Sequence, residues 1–316
     1  MFQAAKVAIS LALIVVAAFG QSPESLLATG HADQAIEVLS AQLQKTPTAL
    51  AHNQLCRAYF EFGAYDAGIS YCERATALAA DNELFHLWLG RIYGEKADHA
   101  GFLSAAGLAK KVRTEFERAV ELQPENWEAR TDLAEFYLEA PGIVGGGKDK
   151  AVAQADRIAE LNPAMSHWVR ARVAEKNKDT AAAEKEYRAA IEASHGGARA
   201  WLNLAGFYRH TNRLDEMEHA LHSMDSSAVD FPGALVDAAG LLLRTERDFP
   251  LAVRFLRRYL SGTTVEEAPV FKAQTMLGDL MEKQGDRVSA VEQYRAALAL
   301  AHSYRPALEG LKRTGH

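Results

Sequence analysis

The residues best spaced for chemistry form a glycine-rich segment, Gly142 to Lys148, which fits the spacing G-x-x-x-x-G-K of a phosphate-binding loop. Two features argue against nucleotide hydrolysis. Asp149 stands where a Ser or Thr would reach Mg²⁺, and the residues before the segment favour a helix over a parallel strand. We therefore favour a plain turn between two helices. A weaker prediction remains, in which backbone N–H groups and one side chain hold a single anion; its candidates are Gly145, Gly146, Gly147 and Lys148.

A histidine pair, His219 and His222, lies three residues apart, which would bring both rings to one turn of a helix as metal ligands. The segment lacks the H-E-x-x-H order of metalloproteases and has no third ligand nearby. Both histidines flank Leu221, a core position, so we expect them on a solvated helix surface. No Ser or Cys has a recognisable catalytic context. The sequence therefore predicts no metal site, no cofactor and no enzymatic activity.

Two cysteines, Cys56 and Cys72, are the third candidate for chemistry. Both stand at packing positions of neighbouring predicted helices. In an exported protein an even number of cysteines permits a disulfide. Two small buried thiols would fill the same positions equally well, and the sequence leaves both alternatives open because a bridge depends on geometry.

The helices that position these residues are indicated by a pattern that recurs along the chain. Predicted first helices carry Leu, then a small residue, then Tyr three positions later: Leu55-Cys56-Tyr59, Leu89-Gly90-Tyr93, Leu133-Ala134-Tyr137 and Leu204-Ala205-Tyr208. Second helices carry a small residue followed by a bulky one four positions later. Successive bulky positions are separated by 33, 44, 39, 32, 34, 35 and 38 residues.

A period near 34 with this residue order resembles the tetratricopeptide repeat family, over about residues 23–303. The resemblance implies an all-α fold, an α-solenoid of about eight helix-turn-helix repeats that form a right-handed superhelix. Small residues such as Gly90 and Gly278 allow antiparallel helices to approach closely. No single pair can bury its apolar face alone, so stacked neighbours share one core. We expect the short unit Ser22 to Thr29 and a helix over Arg305 to Arg313 to cap the two ends.

Two insertions interrupt the period, at about residues 94–111 and 140–149. The first is rich in alanine and compatible with helix, so we expect lengthened helices there. The second contains several glycines, which cannot sustain a helix, and is predicted to be a loop. Insertions in successive repeats tend to emerge on one face, which is often the functional one.

The first twenty residues predict a targeting signal. Lys6 precedes an apolar run from Val7 to Phe19, and small residues at Ala18 and Gly20 suit cleavage. The run falls short of the roughly 20 residues that a membrane-spanning helix needs. We therefore expect a signal peptide at 1–20, a mature solenoid at 21–316, and an exported protein that is periplasmic or secreted. An uncleaved anchor or a buried first helix is the alternative, and only an uncleaved segment would place the chain at a membrane.

The composition is that of an ordinary folded protein: 316 residues, 48% hydrophobic and 24% charged, with a net charge of −6. Strong disorder is excluded, because disordered chains lack this apolar fraction. The acidic balance argues against a nucleic-acid partner bound through bulk positive charge.

Two functions of different classes follow. The resemblance implies a non-enzymatic protein–protein interaction module, a scaffold of the cell envelope that binds a peptide or partner helix in its concave groove. The alternative is an enzyme or a protein that binds a small ligand or anion, with its site built on the insertions Gly94–Lys111 and Pro141–Lys148.

The groove is expected to be lined by residues on either side of the packing stripe of each first helix. These are Asn53, Arg57, Arg91, Trp168, Arg172, Arg209 and Arg244. Arginine forks bind carboxylates, so the predicted partner is an acidic or carboxylate-bearing peptide, although the Lys and Asn pattern of the family's peptide-carboxylate clamp is not reproduced. Ion pairs with carboxylates on the same rim are the competing interpretation; the candidates are Glu61, Glu95, Glu139 and Glu175.

Overall fold

The computed structural model describes residues 21–315, apart from the side chains of residues 102 and 103; the predicted signal peptide lies outside this range. The described part contains α-helices and one 3₁₀ turn and no strand. Eight helix pairs follow one another: Pro23–Ala28 and Ala32–Lys45 (α1, α2), Ala49–Glu61 and Tyr65–Leu78 (α3, α4), Glu83–Asp98 and Phe102–Leu122 (α5, α6), Trp127–Glu139 and Lys148–Ile158 (α7, α8), Pro163–Lys176 and Thr180–Ala193 (α9, α10), Ala198–His210 and Leu214–Asp225 (α11, α12), Gly233–Thr245 and Phe249–Leu260 (α13, α14), and Val270–Lys283 and Arg287–Leu300 (α15, α16). Arg305–Arg313 (α17) is the last helix. The predicted all-α solenoid is confirmed.

Local sequence sets where several first helices begin. Side-chain oxygens of Thr48, Asn82, Asn126 and Asn162 each accept a hydrogen bond from a backbone N–H three residues later. Such caps satisfy donors that the helix itself leaves unpaired and contribute about 1 kcal/mol each.

Small residues on first helices let the helices of a pair pack closely. A Cβ atom on Gly90 of α5 would lie 2.4 Å from the Phe116 ring of α6, and one on Gly278 of α15 would lie 2.6 Å from the Tyr294 ring of α16. Each large ring therefore occupies the space that the missing side chain leaves. Repetition of this packing along the chain produces two large core clusters, which meet at Trp168, and two small clusters in the first two repeats.

The insertions lengthen one helix pair and add a short loop to the next. The extra residues of the first insertion extend α5 and α6, which together form the longest pair. The second forms a 3₁₀ turn at Gly142–Val144, followed by a left-handed residue at Gly145. The Nη1 atom of Arg113, on α6, donates a hydrogen bond to the backbone carbonyl of Val144 at 3.4 Å and so holds the loop against α6.

The solenoid closes on itself. The Phe62 ring, at the end of α3, stacks on the Phe271 ring of α15 with 5.7 Å between centroids. The Nε atom of Arg57 donates to Glu266 at 2.7 Å, and Lys272 pairs with Glu61 at 2.5 Å. Repeats that lie about 200 residues apart in the chain are thereby joined.

Gly90→Ala tests the close packing of the helix pairs. The added methyl group cannot be accommodated beside Phe116 without displacement of the ring, so we expect the free energy of unfolding in urea to fall by about 1–3 kcal/mol. Gly94→Ala, on the same helix with open space around the new Cβ, is the control; it should stabilise by about 0.5–1 kcal/mol. Equal effects of the two substitutions would contradict this account.

Candidate binding site

A central chamber of about 290 Å³ opens between the first helices. Its aromatic lining consists of Phe60, Trp88, Trp127 and Phe231. Its charged lining consists of Glu61, Arg91, Glu128, Asp132, Arg199 and Glu267. These residues come from four different first helices and from the loops that precede α13 and α15, so the chamber depends on the whole curved array.

Arginine side chains cover the aromatic rings of the chamber. The guanidinium carbons of Arg57 and Arg91 lie 5.0 and 5.1 Å from the centroid of Trp88. That of Arg199 lies 3.9 Å from the Phe231 centroid and 5.8 Å from that of Trp127. A cation over a ring face at these distances is attracted by the ring quadrupole.

A second cavity of about 420 Å³ adjoins the chamber between α7, α9 and α11. The two cavities share Trp127, Glu128, Arg199 and Phe231. They therefore form one trough along the inner helices, with an aromatic–arginine cluster at its middle.

Two carboxylates at the closure are buried beside the chamber. Glu61 and Glu266 are 4% and 6% exposed. Burial raises the pKa of Glu61 to about 7, and the neighbouring charges of Glu266 and Glu267 add to the rise, against the opposing effect of Lys272. Burial likewise raises the pKa of Glu266 in spite of Arg57. Burial is thus the main cause of both raised pKa values, and the neighbouring carboxylates add to it.

Several residues predicted for the groove are engaged inside the chain. Arg57 pairs with Glu266, and the Nε atom of Arg91 lies 2.6 Å from a carboxylate oxygen of Asp132. Arg172 lies between Glu135, Glu139 and Glu175, with its shortest contact, 2.7 Å, to Glu139. Internal ion pairs, which were the competing interpretation of the sequence, therefore account for these three arginines.

The other predicted residues differ in accessibility. Asn53 is fully buried, so it does not face the groove, and its amide atoms have no hydrogen-bond partner in the described part of the chain. Trp168 is half-buried beneath Arg172, whose guanidinium carbon is 5.6 Å from the ring centroid.

Arg209 and Arg244, on the adjacent first helices α11 and α13, form no ion pair with any described residue. The Nη2 atom of Arg209 contacts only the His210 ring, at 2.6 Å, and its buried Nε atom has no partner within residues 21–315. Burial, and then the positive charge of Arg209, lowers the pKa of Arg244. Asp237 lies nearby without pairing, and its own pKa is raised by burial.

The glycine-rich loop does not provide the predicted anion site. The backbone N–H groups of Gly145, Gly146 and Gly147 donate to the carbonyls of Gly142, Pro141 and Tyr137. The Lys148 ammonium donates to the amide oxygen of Asn177 at 2.5 Å. Because these donors already have partners, the segment acts as the turn that ends one helix and starts the next.

The remaining candidates are structural. Cys56 and Cys72 form a disulfide between α3 and α4, with 5.2 Å between their Cα atoms. His219 is exposed, and His222 lies 2.9 Å from Asp248. Within the described residues, no group of three or more His, Cys, Asp or Glu is arranged to hold a metal. None of the described helices is long and apolar enough to cross a bilayer.

The sequence matches the tetratricopeptide repeat family at residues 24–83, 144–198 and 169–216. The chain therefore contains tetratricopeptide repeats. Proteins built from these repeats are in general scaffolds for protein–protein interaction. No curated protein matches the sequence.

Several solved structures are similar to this chain. Yeast Tom70 is similar over 90% of this chain, with 15% identity and a TM-score of 0.53, and the chain spans 58% of the Tom70 structure. A repeat protein from Parabacteroides merdae is similar over 94% of this chain and all of its own length, with 15% identity and a TM-score of 0.46. One from Thermus thermophilus is similar over 67% of this chain and all of its own, with 21% identity and a TM-score of 0.44.

Sequence patterns did not indicate the aromatic residues that line the chamber, nor Glu267. Trp88 and Trp127 lie on first helices, and Trp88 is three positions before the predicted Arg91, so a search for tryptophans on the same helix faces would have found them. Phe231 and Glu267 lie in loops between repeats. No periodic signal points to them, because the closure of the solenoid decides where these loops lie.

A third cavity, of about 320 Å³, lies between the two insertions of the solenoid. Its walls are mostly apolar and include Ala97, Ala105, Val112, Phe136 and Val144, although the carboxylates of Asp98 and Glu139 also line it. Beside it, Ile143 at the tip of the loop is 90% exposed. The insertions therefore meet at an apolar surface separate from the trough.

Glu61→Gln tests the charge state at the closure. A carboxyl group with a raised pKa in the folded state contributes stability that is fully present below about pH 4.5 and is lost as pH rises through about 7. Glutamine does not titrate. Urea unfolding should therefore show that the free energy of the variant rises relative to the native protein between pH 5.5 and 8.5.

Glu292→Gln, an exposed site on α16, is the matched control and should show a constant difference from the native protein. A constant difference for Glu61→Gln as well would contradict the raised pKa. The charged groups that face Glu61 are Lys272, Glu266 and Glu267, and they remain in both variants.

Proposed function

We propose that the protein is a non-enzymatic scaffold of the cell envelope that binds a peptide or partner helix in the trough. The observation that carries the proposal is the continuity of the two inner cavities, which share an aromatic–arginine cluster. Aromatic and arginine side chains dominate the energetics of most protein interfaces. An extended segment can follow such a trough across several repeats.

The partner is proposed to present a carboxylate to Arg209 and Arg244. Two guanidinium groups without a carboxylate partner in residues 21–315 repel each other, and an anion between them would relieve that repulsion. Gly240 leaves room for the Arg244 side chain in this arrangement, because a Cβ atom at that position would lie only 3.2 Å from the Nη1 atom of Arg244. An acidic side chain or a chain terminus would gain charge-assisted hydrogen bonds from both.

An export signal at residues 1–20 is part of the proposal, and it would place the protein in the periplasm or outside the cell. The motif supports it, with Lys6 before an apolar run and small residues at its end. The Cys56–Cys72 disulfide is consistent with an oxidising compartment.

Replacement of Arg209 and Arg244 together by Ala tests the partner chemistry. The partner would first be captured from an envelope extract by cross-linking and identified by mass spectrometry. Loss of two hydrogen bonds to a charged group should weaken its binding by roughly 10–100-fold. The salt dependence of binding should fall as well, because an ionic contact is lost.

The control is Arg257→Ala on α14, an exposed arginine without an ion-pair partner in the described structure. Its affinity should stay within about twofold of native, as expected for a rim charge. Unchanged affinity and unchanged salt dependence in the Arg209/Arg244 variant would place the carboxylate site elsewhere.

Export is tested by expression of the full chain and fractionation of the cells. We expect the mature protein in the periplasm or medium. Its mass should correspond to a chain that begins at residue 19 or 21, after cleavage behind Ala18 or Gly20. A full-length mass with the chain in the membrane fraction would support an uncleaved anchor instead.

The apolar cavity between the insertions supports a second candidate, a site for a small apolar ligand. Walls of alanine and valine next to an exposed Ile143 would bury such a ligand at little cost in polar desolvation. Screening for ligand-dependent thermal stabilisation tests this candidate, and Ala105→Phe, which fills the cavity, should abolish any shift.

A further inference from the structure

The chamber has more carboxylates than cations once its internal ion pairs are excluded. Three nearby carboxylates each have a cation partner: Glu61 has Lys272, Asp132 has Arg91, and Glu266 has Arg57. Glu128 and Glu267 remain. The nearest cation to Glu128 is the Nη2 atom of Arg91, at 4.0 Å, and Glu267 forms no ion pair or hydrogen bond with any described residue.

Arg199 is the cation that remains in the described lining of the chamber. Its guanidinium group lies against Phe231 and Trp127, and its side chain forms no ion pair within residues 21–315. Asp230, in the adjoining cavity, accepts a hydrogen bond from the backbone N–H of Arg199 at 3.1 Å. Three carboxylates therefore face one cation across this part of the trough.

The shape of the chamber suits one long side chain. A volume of about 290 Å³ is at the lower end of the range for ligand pockets. Trp127 and Phe231 are half-buried and Glu267 is exposed, so rings and a carboxylate are both accessible from the same space. The guanidinium groups of Arg57, Arg91 and Arg199 already lie over rings of the chamber, so a partner side chain would pack on the ring surface that they leave exposed.

We propose that the chamber is the subsite for a basic side chain, lysine or arginine, of the polypeptide bound in the trough. Its charge would lie between Glu267 and Glu128, and its aliphatic part would pack on Trp127 and Phe231. An acidic side chain at this point would meet both carboxylates, and since Arg91 is already paired with Asp132, Arg199 alone is left to oppose them. The inference rests on the proposed function, since it assigns one residue of the partner to one part of the trough.

The raised pKa values of the two buried carboxylates, Glu61 and Glu266, agree with this assignment. Glu267 contributes to the raised pKa of both Glu61 and Glu266. A cation bound beside Glu267 would offset that repulsion and favour the ionised form of both neighbours. Binding of the basic residue would thus also strengthen the ion pairs of Glu61 and Glu266 that close the solenoid.

The test uses a phage-displayed library of random dodecapeptides, selected on the mature protein. A synthetic copy of the best binder, labelled with fluorescein, is then measured by fluorescence anisotropy. We expect the selected peptides to share a Lys or Arg, and replacement of that residue by Gln to weaken binding at least tenfold. In the Glu128→Gln, Glu267→Gln double variant the same replacement should change affinity by less than threefold.

Glu292→Gln is the matched control and should retain the full effect of the peptide replacement. Thermal unfolding of each variant checks that the fold is intact. Selected peptides without a basic residue, or an equal loss with native and double-variant protein, would overturn the inference. If the selected peptides still bind through Arg209 and Arg244, the proposed function stands without this inference. If no peptide is selected, the inference and the proposed function are both overturned.

Discussion

Contact between the second repeat and the eighth governs the shape of this molecule. In an open solenoid each repeat contacts only its neighbours, and nothing holds the two ends together. Here the stacked rings of Phe62 and Phe271 join them, flanked by the ion pairs of Arg57 and Lys272. Removal of charges from water costs several kcal/mol per ion, which the attraction within a buried pair only partly offsets. We infer that the rings supply most of the favourable free energy and that the ion pairs specify how the ends align.

Closure also deepens the concave surface into a chamber. Phe231 and Glu267 lie in loops before α13 and α15, and in an open array such loops would lie at a rim. Here they line the same cavity as Trp88 of α5 and Trp127 of α7. The site is therefore a property of the ring as a whole, whereas the core is a property of each pair.

This difference explains what could be predicted from sequence. Helix pairs depend on residues fewer than 40 positions apart, and the recurrence of small residues opposite large rings, such as Gly278 and Tyr294, indicated them directly. The pairing of Arg57 depends on Glu266, 209 positions away, and no periodic pattern relates the two. The glycine-rich loop failed for a local reason, because its backbone donors bind carbonyls within the same turn.

The net charge of the chain conceals the distribution of charge on its inner surface. Arg209 and Arg244 stand in the last turns of α11 and α13, where the partial negative charge of a helix C-terminus stabilises cations without a carboxylate. Glu128 stands in the first turn of α7, where the opposite partial charge stabilises an anion. Because first helices run in the same sense from repeat to repeat, the site of Arg209 and Arg244 and the subsite of Glu128 and Glu267 lie toward opposite ends of these helices. A partner with a basic and an acidic residue would then bind in one direction only, since the reversed orientation brings like charges together at both places.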